Sequence, residues 1–203
     1  MSTNHVTHPT HHISGPHLRP AVLSARERLA AGRAKLREQH NAGSPGIKVC
    51  NKLTTLFDEV VVELFHAALT DFDKSLYQQF LENIALVPNG GFGRRDSAPY
   101  SDIDLMLLYN RPVAGDVNRL SARLIADLGD AGLTLGFNTR NIDEIANLAI
   151  GDGTILTSLA ESRFLVGSHE LFDRFYTRFR RQMMRRWRKL VPMVEQARRE
   201  ERA

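Results

Sequence analysis

The chain has 203 residues, a length that favours one domain with appendages over two full domains. Hydrophobic residues make up 42% and charged residues 25%, which predicts a packed core and excludes disorder of the whole chain. The single cysteine, Cys50, excludes an internal disulfide, and the sequence has no apolar run long enough for a membrane span or a signal peptide, so a cytoplasmic protein is expected.

The N-terminal part of the sequence predicts helices behind an unstructured leader. Residues 1–20 combine five histidines with proline, serine and threonine, and this composition predicts a disordered leader. Alanine, arginine, glutamate and leucine dominate residues 21–40 and predict a charged, mostly exposed helix. Apolar residues at three- and four-residue steps predict a second helix over 47–69, and a shorter helix is expected at 74–83. Residues 21–83 are thus predicted to be N-terminal helices.

The hydrophobic period changes after Asn83, and the next stretch predicts a small sheet. A short apolar run at 84–87 ends in proline, asparagine and two glycines, which is typical of a strand that enters a tight turn. Residues 103–109 are nearly all apolar and predict a buried central strand. An amphipathic helix is expected at 116–128 and a third strand at 132–138. Residues 84–140 are therefore predicted to be the core of an α+β domain, a small mixed sheet surrounded by helices.

Residues 141–203 are predicted to be a helical C-terminal region, with helices at about 142–150, 154–165 and 169 onward. The last helix is rich in arginine, which is a feature of nucleic-acid-binding surfaces. It also carries a stripe of apolar residues at helical spacing: Phe175, Phe179, Met183, Trp187 and Val191. This stripe favours a core contact or a docking surface for another domain or chain over nucleic-acid binding.

The stretch 89–109 contains the candidate catalytic and ligand-binding residues. Three glycines follow the first strand directly, and glycine lets backbone N–H groups approach an anion closely. Arg94 follows them, and a guanidinium suits phosphate oxygens. Asp102 and Asp104 then open the central strand, where alternate side chains share one face. Two neighbouring carboxylates are costly without a cation, so the pattern predicts a Mg²⁺ site for phosphoryl or nucleotidyl transfer.

These motifs carry a family resemblance. The letters GGFGR followed by PYSDIDL resemble the N-terminal nucleotidyltransferase domain of the bacterial PII uridylyltransferase/uridylyl-removing enzymes, within the DNA polymerase β superfamily. The segments DAGLTLG at 130–136, with Arg140 after it, and ESRFLVG at 161–167 resemble further motifs of that family. The resemblance covers about residues 47–175 and implies the polymerase β-like nucleotidyltransferase fold.

The resemblance also implies roles. Asp102 and Asp104 are expected to bind two Mg²⁺ ions, and Asp130, expected at the start of the third strand, is the candidate third catalytic and metal-binding carboxylate. The triphosphate of UTP is expected to contact Gly90, Gly91, Gly93 and Arg94. Ser101 either binds a phosphate or caps a turn. The implied acceptor is a tyrosine hydroxyl of a PII signalling protein.

The sequence departs from the family pattern at several positions, and alternatives remain open. Arg95 and Asp96 replace glycine and glutamate, Gly129 replaces tryptophan, and Phe137 with Asn138 replaces histidine and serine. No His-Asp pair is present, so hydrolytic removal of uridylyl groups by the family's HD domain is not expected of these 203 residues, and their length predicts no ACT domains for glutamine sensing. The alternatives to an active enzyme of this family are a non-catalytic nucleotide- or partner-binding remnant and a stand-alone nucleotidyltransferase with another acceptor.

Overall fold

The computed structural model describes residues 18–148 and 153–200. Three helices come first, and they confirm the predicted ones to within one residue at each end: α1 (Pro20–Asn41), α2 (Gly46–Leu69) and α3 (Lys74–Asn83). Pro20 starts α1, where its missing N–H leaves no helical hydrogen bond unmade. Asp73 caps α3, because its carboxylate accepts hydrogen bonds from the backbone N–H groups of Ser75 and Leu76.

A four-stranded mixed sheet forms the centre of the fold and confirms the predicted α+β class. Its spatial order is β3-β2-β1-β4, and β1 is antiparallel to both of its neighbours while β2 and β3 are parallel. The strands are β1 (Ile84–Pro88), β2 (Ile103–Tyr109), β3 (Leu135–Asn141) and β4 (Val166–Gly167). The other helices are α4 (Gly90–Arg94), α5 (Val117–Asp130), α6 (Ile142–Leu148), α7 (Gly153–Ala160) and α8 (His169–Glu200), with a 3-10 turn at Arg111–Val113.

Helices cover both faces of the sheet. Leu105 and Leu107 of β2 pack against a core built by α1, α2, α3 and α5, which we call the first face. Met106 and Leu108 point the other way and pack against α6, α7 and α8, which we call the second face. Because successive strand residues alternate between faces, Asp104 also belongs to the second face.

The structure corrects several predicted boundaries. Residues 90–94 form the short helix α4, where a tight turn was predicted after β1. Helix α5 continues through Asp130, and β3 begins at Leu135 instead of 132. The helix predicted at 154–165 ends at Ala160, and residues 166–167 pair with β1 as β4. A two-residue strand is too short to show a hydrophobic period. The leader, up to residue 17, and the end of the helix predicted at 142–150 lie outside the described residues.

The apolar stripe of α8 contributes to the core in its first half. Phe175 and Phe179 are buried in the second-face core, which confirms the predicted core contact for these two residues. Val191 is 46% exposed, and the side chain of Trp187 lies outside the described ones. None of the helices in 18–148 and 153–200 has the length and apolarity that crossing a membrane requires.

Candidate active site

Asp104 lies at the start of β2, between the turn that follows β1 and the neighbouring strand β3. Its backbone carbonyl accepts a hydrogen bond of 3.0 Å from the backbone N–H of Asn89. This bond joins β2 to residues 89–91, which lead into α4 and which we call the glycine turn. Its side chain leans over two glycines. A Cβ on Gly90 would stand 3.1 Å from Asp104 Oδ2, and a Cβ on Gly136, the β3 partner of Asp104, would overlap Oδ1. The carboxylate therefore occupies space that only glycine at 136 leaves open.

Asp102 and Asp104 form a pair of neighbouring negative charges. Partial burial raises the pKa of the Asp104 carboxyl, and the charge of Asp102 raises it further. Within the described residues, no group of three or more His, Cys, Asp or Glu side chains is arranged to hold a metal ion. A pair of carboxylates nevertheless fits Mg²⁺, which is usually bound by one or two carboxylates together with substrate phosphates and water. The donor set suits a metal that arrives with a nucleotide.

The three glycines predicted to bind the triphosphate have different surroundings. Gly90 begins α4 with φ of +51° and borders Asp104. The site of a Cβ on Gly91 lies 3.1 Å from the carboxylate of Asp96. A Cβ on Gly93 would overlap the backbone oxygen of Glu161, and its N–H already donates to Asn89 O at 2.8 Å. Gly93 thus lets α4 pack against the segment after α7, while contact of these glycines with phosphate stays a prediction.

Arg94, the predicted partner of the triphosphate, is held by two carboxylates. Its Nε donates to Asp96 Oδ2 at 2.8 Å, and its Nη1 pairs with Glu161. The hydrogen bond to Asp96 raises the pKa of Arg94, and the charge of Glu161 adds to this effect. A phosphate would therefore compete with these carboxylates for the guanidinium.

Arg95, where the family pattern has glycine, points away from Asp104. Its φ of +66° is left-handed, a conformation that glycine adopts more easily. The side chain extends to α2, where it donates to Asp58 at 2.8 Å and to Thr55 at 2.8 Å. Asp58 also accepts a hydrogen bond of 2.5 Å from Arg163, whose guanidinium lies 5.1 Å from the ring centroid of Phe92. Asp58 therefore ties the end of α4 to the segment after α7.

Ser101 and Asp130 are not among the residues that line the cavity beside Asp104. The Ser101 hydroxyl donates to the Ala98 carbonyl at 3.0 Å and accepts from the Ala98 N–H at 3.1 Å, so it closes a turn. Asp130 is the exposed last residue of α5, and its predicted position at the start of a strand is wrong because the helix continues through it. The structure does not bring Asp130 to the cavity beside Asp104, and its metal-binding role stays a prediction.

A cavity of about 290 Å³ lies beside Asp104, between the second face of the sheet and helices α6 and α7. Its apolar lining is Met106, Ile145, Ile155 and Leu159. Its polar lining is Asn89, Asp104, Asn138, Arg140, Thr154 and Ser158.

The sequence prediction missed most of this polar lining. Asn89 is buried, and its Oδ1 accepts a hydrogen bond of 2.8 Å from Ser162, which fixes it in the glycine turn. Asn138 and Arg140 share the second face because they alternate along β3 with the pleat. Alternation would have placed Arg140 on the same face as Asn138 if the predicted strand had extended to residue 141 rather than ending at 138. Only the pairing with β2 shows that this face meets the cavity.

Comparisons with known proteins agree with the predicted resemblance. No model of a protein family matches the chain. The chain is 33% identical over 187 residues to the bifunctional uridylyltransferase/uridylyl-removing enzyme of Bradyrhizobium diazoefficiens, a match that covers 91% of this chain and 19% of that enzyme. It is also 33% identical over 174 residues to the enzyme of that name from Azospirillum brasilense, covering 85% of this chain and 19% of the relative.

The chain thus spans about a fifth of the length of these curated relatives. Over most of its own length it is similar to bifunctional uridylyltransferase/uridylyl-removing enzymes, and the resemblance predicted from the motifs around Asp104 is confirmed.

Proposed function

We propose that this chain is a nucleotidyltransferase of the uridylyltransferase type, which transfers UMP from UTP to a tyrosine hydroxyl of a PII signalling protein in the cytoplasm. The observation that carries the proposal is the pair Asp102 and Asp104, of which Asp104 borders Gly90 and lines one end of a cavity. The similarity to bifunctional uridylyltransferase/uridylyl-removing enzymes supports the reaction type. In this reaction the tyrosine oxygen bonds to the α-phosphorus, the bond from that phosphorus to the bridging oxygen breaks, pyrophosphate leaves, and the phenolic proton passes to solvent.

The residues contribute mainly by position and charge. Asp102 and Asp104 would hold two Mg²⁺ ions; the bound metal supplies positive charge to the phosphates and lowers the pKa of the attacking hydroxyl. Gly136 and Gly90 leave the carboxylate of Asp104 the space it needs to face the cavity. Buried Asn89 joins the glycine turn to β2 and keeps the turn in register with Asp104. Such fixed placement is the main source of rate acceleration in phosphoryl-group transfer.

The proposal is tested with UTP labelled at either end of its phosphate chain. The full chain is incubated with a PII protein, Mg²⁺ and α-labelled UTP, and we expect the label to appear on a PII tyrosine. The matched control is γ-labelled UTP, which leaves no label on the protein because the γ-phosphate departs in pyrophosphate. Transfer of the γ-label, or transfer without Mg²⁺, would contradict nucleotidyl transfer by this site.

A second candidate is a nucleotide-binding remnant without catalysis. The observation that favours it is the pairing of Arg94 with Asp96 and Glu161, which leaves its charge already balanced. Tight binding of Mg²⁺ and UTP with no label transfer to any acceptor would support the remnant. Transfer of the α-label to a protein other than PII would instead support a nucleotidyltransferase with another acceptor.

Replacing Gly136 by alanine is expected to lower the transfer rate about a hundredfold while changing thermal stability little. The new Cβ overlaps Oδ1 of Asp104, and the flexible carboxylate turns aside more easily than the strand moves. A displacement of about 1 Å at a reacting group can reduce the rate about a hundredfold. Label transfer and thermal unfolding measure the two effects separately.

Gly129→Ala is the matched control for this substitution. Nothing lies within 4 Å of a Cβ on Gly129, which is in α5 away from the cavity. We expect this variant to keep the rate of the parent chain. Equal rates in the two alanine variants would show that the position of Asp104 does not limit transfer.

A further inference from the structure

The cavity changes its chemical character along β3, with a carboxylate at one end and a guanidinium at the other. Asp104 pairs with Gly136 in the parallel ladder, and Arg140 lies four residues further along β3 on the same face. At about 3.3 Å per residue, four residues correspond to roughly 13 Å along the strand. We therefore place Asp104 and Arg140 toward opposite ends of the cavity.

Among the residues that the structure describes, the surroundings of Arg140 differ from those of the arginines around α4. Arg94, Arg95 and Arg163 each pair with a carboxylate, whereas no ion pair or hydrogen bond to the side chain of half-buried Arg140 occurs in the part of the chain that the structure describes. A guanidinium offers five N–H donors and no acceptor, and no described residue occupies the donors of Arg140. Asn138, two residues earlier on the same face, adds an amide donor and an acceptor to this wall.

The apolar part of the cavity lining suits the flat face of a nucleobase. Met106, Ile145 and Ile155 supply apolar contact area beside the polar groups of β3. A volume of about 290 Å³ is at the lower end of the range usual for ligand pockets, which favours a pyrimidine over a purine. If the triphosphate lies at Asp104 and the glycine turn, the base extends along β3 toward Arg140.

We propose that Arg140, assisted by Asn138, determines base specificity by donating hydrogen bonds to a carbonyl group of a pyrimidine, so that uracil is bound in preference to cytosine. The 4-carbonyl of a uracil-type base accepts hydrogen bonds, whereas cytosine carries an amino donor at that position. Because a guanidinium cannot accept, Arg140 would offer the cytosine amino group no hydrogen-bond partner. This assignment rests on the proposed function, since it takes the triphosphate to lie at Asp104.

The test measures equilibrium binding of UTP, CTP and inorganic tripolyphosphate to the full chain, with Mg²⁺ and without an acceptor protein. We expect the parent chain to bind UTP about 10- to 100-fold more tightly than CTP, the discrimination typical of one well-placed base contact. Arg140→Ala and Arg140→Gln should each weaken UTP binding until it matches CTP, and leave tripolyphosphate binding unchanged. Asn138→Ala should weaken UTP binding in the same direction, by a smaller factor.

Arg26→Ala is the matched control, because it removes an equal charge from the exposed surface of α1, which covers the first face. It should leave all three affinities unchanged. Equal weakening of UTP, CTP and tripolyphosphate in both Arg140 variants would assign Arg140 to the phosphates and overturn the proposal, as would an unchanged UTP preference. Equal binding of UTP and CTP by the parent chain would overturn it while leaving nucleotidyl transfer intact. Failure of the parent chain to bind tripolyphosphate or any nucleotide would overturn both.

Discussion

Asp104→Asn is expected to reduce the transfer of UMP by about a thousandfold or more, because it removes one of the two charges that hold the metal and keeps the shape of the side chain. The neutral amide fits the same space beside Gly136 and Gly90, so the cavity should keep its form. The measurement is the initial rate of α-label transfer at saturating UTP and Mg²⁺. A rate within tenfold of the parent chain would show that the reaction does not depend on this carboxylate.

The same substitution should leave the metal-free protein as stable as before, or make it more stable, at neutral pH. Burial and the charge of Asp102 raise the pKa of Asp104 in the folded state, so the ionised carboxylate opposes folding when no cation is present. The raised pKa means that this penalty grows as the pH rises through the unfolded and folded pKa values. The advantage of Asp104→Asn should therefore disappear below the ordinary pKa of an aspartate. Urea unfolding at neutral and acidic pH, with chelator present, measures this difference.

Asp130→Asn is the control for Asp104→Asn, because it tests whether Asp130, the third predicted carboxylate, belongs to the same metal site as Asp102 and Asp104. Asp130 is exposed at the end of α5 and does not line the cavity, so its position predicts a small effect on the rate. A loss as large as that of Asp104→Asn would instead establish Asp130 as part of the metal site. The two variants change the same charge by the same chemistry, which makes their comparison direct.

Gly93→Ala is expected to destabilise the fold by about 2–3 kcal/mol, the upper part of the range for forcing an atom into packed structure. The added Cβ overlaps the backbone oxygen of Glu161 and would stand 3.1 Å from the backbone oxygen of Pro88, and backbone on both sides leaves it no room to move. The free energy of unfolding of the metal-free chain, from urea titration, measures the loss.

Gly91→Ala is the matched control in the same short helix. Its Cβ would meet only the side chains of Asp96, at 3.1 Å, and Arg94, at 3.7 Å, and side chains can turn aside. Both substitutions gain the same helix propensity of about 1 kcal/mol. The difference between the free energies of unfolding of the two variants therefore measures the cost of the contact with Glu161. Equal stabilities would contradict the close packing of α4 against the segment after α7.

Local patterns in the sequence predicted the central strands and the paired aspartates. The apolar run of β2 predicts a buried strand. Asp102 and Asp104 are two residues apart at its start, and because strand side chains alternate with a period of two, both are expected on one face. Asp130 was misplaced because the helix boundary depends on how far α5 continues, and boundaries have weak sequence signals. The pairing of Arg94 with Glu161 joins residues 67 positions apart. Such contacts depend on how α4 and α7 pack, and a local pattern does not contain that information.

The role of the β3 residues depends on register in the same way. Arg140 lines the cavity because β3 lies parallel to β2 with Asp104 opposite Gly136. A shift of one residue would turn Arg140 to the first face, into the apolar core. The sequence contains the alternation, but only the pairing of the two strands tells which face meets the cavity.

The proposed function depends on Asp102 and Asp104, which are proposed to bind the divalent cations that contact the phosphates of a nucleotide. The most direct measurement is a crystal structure of the full chain grown with Mn²⁺ and a non-hydrolysable UTP analogue, examined for anomalous scattering. We predict manganese peaks in contact with both carboxylates and with phosphate oxygens beside Gly90. Carboxylates that diverge with no manganese between them, or a nucleotide bound away from β2, would contradict the account.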